Sequence, residues 1–294
     1  MCFSWQRLNF HFTALERVIF PSLLSANMLR GALGVLSRKL ACPPACPGAQ
    51  ACPQNATCLY ARVFEPASAV ALPSGLANIP RPFVFRARHL DGLHVEPGDN
   101  FRFGMNVFTP DPLVPPHLQR TFASLEDHGL GPTRARVRLV AAEVQHHDRE
   151  LTAAPRKVAA VKLEFLTPTE LKTHGSLATE PRFPTLFGRI RDRVSTLQTL
   201  YGPGLAQFDF RAMGERAAQI QMTACEIQTS STTRYSTRTG QTHELGGFMG
   251  TATYEGDLAE FLPWLQAAEA TGVGRHAVWG QGEIRLLHIE AFDI

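Results

Sequence analysis

The chain has 294 residues, of which 44% are hydrophobic and 19% charged, and its formal net charge is +3. This composition supports one large or two medium domains and excludes a disordered chain or a coiled coil. The small net charge does not by itself indicate a nucleic-acid partner. The N-terminus has no continuous apolar stretch, and prolines interrupt the uncharged run 40–61. The sequence therefore predicts a cytoplasmic protein without a membrane segment.

The first half of the chain alternates between strand and helix patterns. Polar and apolar residues alternate along each predicted strand, and apolar residues recur at helical spacing along each predicted helix. The predicted elements are a strand over 8–20, a helix over 25–40, paired strands over 81–90 and 99–109, a helix over 116–131 and a strand over 133–145. The predicted order is β-α-β-β-α-β.

The second half repeats this order. Its predicted elements are a strand over 157–168, a helix over 183–202, strands over 224–237 and 247–256, a helix over 256–272 and a strand over 277–290. Two such units predict an α+β protein of two tandem ferredoxin-like domains with antiparallel sheets. We expect the N-terminal domain to span 1–150, with a Cys/Pro-rich insertion at 41–60, and the C-terminal domain to span 157–294.

A glycine-rich loop over 272–282 precedes the last predicted strand. Glycine permits positive φ and a close approach of the backbone to a partner. Successive backbone amides in such a loop form an anion-binding concavity, and Arg275 would add charge and a planar donor group. The pattern favours a phosphate contact, although an ordinary glycine-rich connector has the same composition.

The segment 246–286 resembles the C-terminal signature of the CRISPR-associated repeat-RNA endoribonucleases of the RAMP superfamily. In that family a GG-x-x-G strand precedes a GDL-x-x-FLP-x-L helix and a glycine-rich loop. The matching residues are Gly246, Gly247, Gly250, Gly256, Asp257, Leu258, Phe261, Leu262, Pro263, Leu265, Gly274, Gly280 and Gly282. The departures are Arg275 where Lys is usual, Trp279 for Phe and Gln281 for Leu. The segments 28–34, 58–66 and 163–172 also resemble parts of the family.

The resemblance implies an enzyme that cuts precursor CRISPR RNA within its repeats. The ribose 2′-OH would attack the adjacent phosphate, leaving a 2′,3′-cyclic phosphate and a 5′-OH, with no metal or other cofactor for catalysis. The expected partners are CRISPR repeat RNA and subunits of a CRISPR effector complex, and the expected state is a monomer or homodimer. A non-catalytic crRNA-binding RAMP subunit of an effector complex, or a catalytically dead relative, remains the alternative.

Family members often carry a histidine in the first helix, and the predicted helix 25–40 contains none. The catalytic candidates are therefore Arg30 for the phosphate charge, His11 as a base, and Lys39 further along the helix. A structural pairing of Arg30 and simple packing of His11 are the competing interpretations.

The RNA-binding candidates fall into two groups. The first is the glycine-rich loop with its basic pair, and the second is the hairpin of the second unit, whose side chains could grip phosphates or stack on bases. These residues are Gly272, Gly274, Arg275, His276, Gly280 and Gly282 in the loop, and Arg234, Tyr235 and Arg238 in the hairpin.

Four cysteines occur within 17 residues, at Cys42, Cys46, Cys52 and Cys58. Four thiolates close in sequence could hold a structural zinc ion or an iron–sulfur cluster. The spacing is not that of two CxxC pairs, and reduced thiols in a loop are the alternative interpretation.

Overall fold

The computed structural model describes residues 2–66, 79–173, 175–204, 208–235 and 242–292. Two compact units divide the chain. The N-terminal unit comprises Trp5–His147 and Val278–Gly280, and the C-terminal unit is centred on Asp148–Ala277 and Gln281–Ile294. Among the described residues, no helix has the length and apolar content to cross a membrane.

The N-terminal unit contains a four-stranded antiparallel sheet in the order β3-β5-β1-β6. A second, two-stranded sheet pairs β2 with β4. The strands are β1 (Cys2–Ala14), β2 (Val18–Ile19), β3 (Phe83–Arg86), β4 (His94–Val95), β5 (Asn100–Val107) and β6 (Val137–Glu150). The helices are α1 (Ser25–Ala41), α2 (Leu59–Phe64), α3 (Val114–Ala123) and α4 (Leu125–His128).

The alternation of residues along β1 gives this sheet two different faces. Phe10 and Phe12 are fully buried and belong to one apolar cluster with Leu29 of α1 and Phe122 of α3. Successive side chains of a strand point to opposite faces, so His11 lies on the face away from these helices. The helices α1 and α3 therefore cover one face of the sheet and leave His11 on the other.

The C-terminal unit has a second four-stranded sheet in the order β10-β11-β7-β12. Its strands are β7 (Lys157–Thr169), the small hairpin strands β8 (Lys172–Thr173) and β9 (Ser176–Leu177), β10 (Gln221–Tyr235), β11 (Thr242–Glu255) and β12 (Ile284–Phe292). Its helices are α5 (Phe183–Tyr201), α6 (Phe210–Ala217) and α7 (Leu262–Thr271). Phe187 of α5 packs edge-on against Trp264 of α7, with ring centroids 6.2 Å apart.

The main strands have the same spatial order in both units. The second strand of each β-α-β-β-α-β unit lies at one edge, followed by the third, the first and the fourth. This is the ferredoxin-like arrangement, and the predicted α+β fold with antiparallel sheets is confirmed.

Several predicted boundaries were wrong, for local reasons. The first strand ends at Ala14 instead of continuing to residue 20. The strand predicted from 133 begins at Val137, because Arg134 has φ 52° and Leu130 bridges Ala135 in a turn. The helix predicted over 116–131 is interrupted at Ser124 and ends before Gly129.

The sequence prediction also missed α6. This helix has eight residues, and the side chain of Asp209 caps it by accepting a hydrogen bond from the Ala212 amide at 2.9 Å. An N-terminal Asp is a usual start signal for a helix, but the segment is short and its apolar periodicity is weak.

A buried histidine joins the two long helices of the N-terminal unit. His117 of α3 is 3% exposed, and its Nε2 lies 2.7 Å from Ser37 Oγ of α1. Burial lowers the pKa of His117 below its ordinary value, and the nearby Arg120 charge lowers it further. The unfolded chain therefore takes up a proton at a pH at which the folded chain does not.

We predict that the free energy of unfolding falls as the pH drops below about 6.5, the ordinary histidine pKa. His117→Gln should reduce this slope, because the amide does not titrate in that range. Urea melts at pH 7.5 and 5.5 measure the effect, and His128→Gln, on the exposed His128, is the matched control. An unchanged slope in His117→Gln would show that other groups cause the acid sensitivity.

Candidate functional site

The glycine-rich loop is bent by residues in the left-handed region of backbone conformation. The φ angles are 67° at Gly272, 79° at Gly274, 63° at His276, 86° at Gly280 and 68° at Gly282. A Cβ atom on Gly282 would lie 1.9 Å from the Val273 carbonyl oxygen, and one on Gly274 would lie 2.4 Å from the Glu170 carbonyl oxygen. The loop thus needs glycine at these positions for its own packing.

The basic pair of the loop contacts a buried carboxylate. Glu170, which directly follows β7, is 6% exposed and forms an ion pair with Arg275 through Oε1. The Arg275 amide donates to the Glu170 carbonyl at 3.0 Å, and His276 Nε2 lies 3.5 Å from Glu170 Oε2. This partner, which could not be predicted from the sequence, anchors the loop and offsets part of the Arg275 charge.

The tip of the loop belongs to the N-terminal unit. Ala277–Trp279 forms a short 3-10 turn, and a Cβ on Gly280 would lie 2.3 Å from the Ala26 Cβ. The ring of Trp279 is 5.6 Å from the Arg30 guanidinium carbon. The loop tip and Arg30 are therefore two predicted sites that the structure brings together.

A second aromatic ring flanks Arg30. The guanidinium carbon lies 4.9 Å from the ring centroid of Phe64, at the end of α2. Each cation–π contact contributes roughly 0.5–2 kcal/mol, more where water is excluded. We call Arg30, Phe64 and Trp279 the arginine clamp. The sequence did not reveal it, because its members are far apart along the chain.

Two further residues fix the position of Phe64. Gly34 of α1 allows a close approach, since a Cβ there would lie 2.4 Å from Phe64 Cζ. Arg81 donates from Nε to the Phe64 carbonyl at 2.6 Å, and its guanidinium carbon is 5.1 Å from the same ring. The clamp thus has a second cation beside it.

The other two catalytic candidates lie apart from Arg30. His11 is on the opposite face of the sheet from α1, with its Nε2 3.8 Å from Glu143 Oε1. Lys39 is exposed in the last turn of α1. Lys39 is nine positions after Arg30, which is about 14 Å along a helix axis and half a rotation around it. The three candidates therefore do not converge on one phosphate.

The hairpin candidates lie at the C-terminal end of β10, in the sheet of the C-terminal unit. Arg234 and Tyr235 are the last residues of β10, where they pair with His243 and Thr242 of β11. Arg238 lies outside the described residues.

The four cysteines occupy the connection between α1 and α2. Burial and the neighbouring thiols of Cys46 and Cys58 raise the pKa of Cys42 to about 12. The Gly48 amide, which donates to the Cys46 sulfur, lowers the pKa of Cys46.

The predicted structural metal site is not supported. In the part of the chain that the structure describes, no group of three or more His, Cys, Asp or Glu residues could hold a metal ion.

One residue of the loop is buried without a polar partner. Gln281 is 2% exposed, and within the described residues its side-chain oxygen and nitrogen make no hydrogen bond. Leaving buried polar atoms unpaired costs about 1–3 kcal/mol. We predict that Gln281→Leu raises the free energy of unfolding by roughly that amount, measured by urea denaturation.

The control for this prediction is Gln219→Leu, at an exposed position, which should leave stability nearly unchanged. A loss of stability in Gln281→Leu would show that the buried amide has a partner in solution.

Comparisons with known proteins agree with this architecture. Residues 3–163 match a family model described as an N-terminal domain, and residues 163–284 match the model of the CRISPR-associated endoribonuclease Cas6. No curated protein sequence matches the chain.

Among solved structures, a product complex of the Thermus thermophilus protein Cas6 (TTHB231) is 17% identical, with a TM-score of 0.61 over 96% of this chain and 100% of that one. A product complex of Cas6 (TTHA0078) is 15% identical, with a TM-score of 0.57 over 97% and 100%. A partial Cas6-RT-Cas1–Cas2 complex is 12% identical, with a TM-score of 0.56 over 98% of this chain and 46% of that one.

At these identities the solved structures show a shared fold, and the family model that matches residues 163–284 describes CRISPR-associated endoribonucleases. The predicted resemblance is confirmed. Residues 163–284 are similar to the CRISPR-associated endoribonuclease family Cas6, and nearly the whole chain shares the fold of solved Cas6 structures.

Proposed function

We propose that this protein cleaves precursor CRISPR RNA within each repeat, without a metal ion, by attack of a ribose 2′-OH on the adjacent phosphate. The 2′-oxygen forms a bond to phosphorus and loses its proton, while the bond to the 5′-oxygen breaks and that oxygen gains a proton. The products are a 2′,3′-cyclic phosphate and a 5′-OH. The arginine clamp, which includes Trp279 of the loop tip, is the observation that carries this proposal.

Arg30 suits the charge that develops during this reaction. Its guanidinium stays protonated at any physiological pH, so it stabilises negative charge and does not transfer protons. Two flanking rings, 4.9 and 5.6 Å from its guanidinium carbon, restrict its motion, so little reorganisation is needed when the phosphorane forms. The RNA supplies its own nucleophile, and the main task of the protein is to hold the strand in line.

The glycine-rich loop would hold the RNA backbone. We assign phosphate contacts to backbone amides of the loop and to Arg275, which is half-exposed beyond its ion pair with Glu170. Arg234, Tyr235 and Arg238 of the hairpin would make additional contacts. His11 and Lys39 are not assigned to the reaction, because neither lies beside Arg30.

A non-catalytic crRNA-binding subunit is the second candidate function. The absence of histidine from α1 favours it, because the usual proton acceptor of the family is missing there. Such a protein would bind repeat RNA as tightly as an enzyme and would leave it intact.

Incubation with cognate repeat RNA in EDTA separates the two functions. We expect cleavage of the RNA and no cleavage of a substrate with 2′-deoxyribose at the cut position. Arg30→Ala should lower the single-turnover rate at saturating protein by about 100-fold, the usual effect of losing one charge-stabilising group. Arg38→Ala, at an exposed position of the same helix, is the control. Binding without any cleavage would support the second function.

Gly34→Ala tests the clamp without removing a charge. The added methyl group would overlap Phe64, so we predict slower cleavage at saturating protein with little change in RNA affinity. Gly31→Ala is the matched control, because nothing lies within 4 Å of a Cβ there. Because Gly31 is a helical glycine with open space around it, Gly31→Ala should stabilise α1 by up to about 1 kcal/mol. Equal rates for both variants would remove Phe64 from the mechanism.

A further inference from the structure

A surface cavity of about 500 Å³ lies on the face of the N-terminal sheet opposite α1. It is formed by β1, β5 and β6, entirely within one unit. The residues that line it include His11, Asn100, Arg102, Val140, Ala141 and Glu143. The proposed reaction uses none of them.

This cavity combines an unpaired cation with a carboxylate. Arg102 is exposed and directly opposite His11 in the β1–β5 pairing. Within the described residues its guanidinium makes no ion pair or hydrogen bond. Glu143 is also exposed, and its Oε1 is 3.8 Å from His11 Nε2, beyond hydrogen-bonding distance. Both charged groups are therefore available to a ligand.

Neutral groups complete the cavity. Asn100 Oδ1 accepts a hydrogen bond from Thr13 Oγ1 at 2.7 Å. The amide nitrogen of Asn100 is therefore the group that can donate to a ligand. Val140 is 63% exposed and provides an apolar surface next to these polar groups. An apolar wall with a few convergent polar groups is the usual composition of a small-ligand site.

The mixture of charges favours a nucleobase over a phosphate. A carboxylate at the same site repels phosphate, whereas a base edge presents donors and acceptors together. Guanine fits this set best: its N1–H and N2–H can donate to the two oxygens of one carboxylate, and its O6 and N7 accept from arginine. Adenine offers a single donor group on its Watson–Crick edge and would leave one carboxylate oxygen unpaired.

We propose that this cavity is a specificity site for one unpaired guanine of the bound RNA, with Glu143 accepting from the Watson–Crick edge, Arg102 donating to O6 or N7, and His11 and Val140 contacting the ring. This inference rests on the proposed function for the identity of the ligand as repeat RNA. The site is separate from the arginine clamp, because His11 and α1 lie on opposite faces of the sheet.

The test uses the full-length protein and repeat RNA that carries 2′-deoxyribose at the cut position, so that binding is measured without cleavage. Each unpaired guanosine is replaced singly by inosine, which lacks the N2 amine, and Kd is measured at fixed salt. We expect one replacement to raise the Kd of the unmodified protein about tenfold, the usual effect of one hydrogen bond to a charged group. Glu143→Gln should abolish that difference.

Arg102→Ala should raise Kd for the guanosine RNA by a similar factor. Arg136→Ala is the matched control, because it removes an exposed arginine that pairs with Glu16 away from the cavity. Thermal melts verify that each variant folds. If no inosine position depends on Glu143, or if Arg102→Ala binds like Arg136→Ala, the guanine site is wrong.

Cleavage rates distinguish this outcome from failure of the proposed function. At saturating protein, Arg136→Ala should cut ordinary repeat RNA at the rate of the unmodified protein, whereas Arg30→Ala should be slow. A slow saturated rate in Arg102→Ala would place that residue in the reaction and overturn the separate site. If the unmodified protein does not cut at all, the proposed function fails, and the inosine measurements with uncut RNA still decide this proposal.

Discussion

The two-residue period of β1 determines where every candidate group of the N-terminal unit can act. Phenylalanines on one face form the core with α1 and α3, and polar residues on the other face remain accessible. A shift of one residue in the strand register would exchange the two sets. Because of this constraint, Arg30 of α1 and His11 of β1 lie on opposite sides of the sheet, although both were candidates for one catalytic site on sequence alone.

On the helix side, the site depends on packing more than on titratable groups. Arg30 keeps its charge at all relevant pH values, and aromatic rings restrain it. The glycine-rich loop is restrained by the Glu170 ion pair and by close backbone contacts at its glycines. Such preorganisation is suited to a reaction in which the substrate carries the nucleophile and the protein supplies geometry and charge.

The sequence predicted the fold well because each strand and helix has a clear periodicity and each unit has the same order. Boundaries failed where positive φ angles or capping residues decided them, as at Arg134 and Asp209. The glycines of the loop were identified from the sequence, but their contacts were not. The clamp could not be predicted, because residues 30, 64 and 279 meet only through tertiary packing. The Glu170 partner of Arg275 was missed for the same reason, because the two residues are 105 positions apart in the sequence.

The clamp also has a consequence for how the protein can be divided. Val278–Gly280 packs with the N-terminal unit although it follows nearly all of the C-terminal unit in the chain. An expressed fragment ending near residue 150 would contain the sheet, both long helices and Arg30, yet one aromatic wall beside the guanidinium would be missing. The N-terminal unit is therefore not one continuous stretch of sequence, and Arg30 reaches its final environment only after Trp279, which follows α7, has been synthesised.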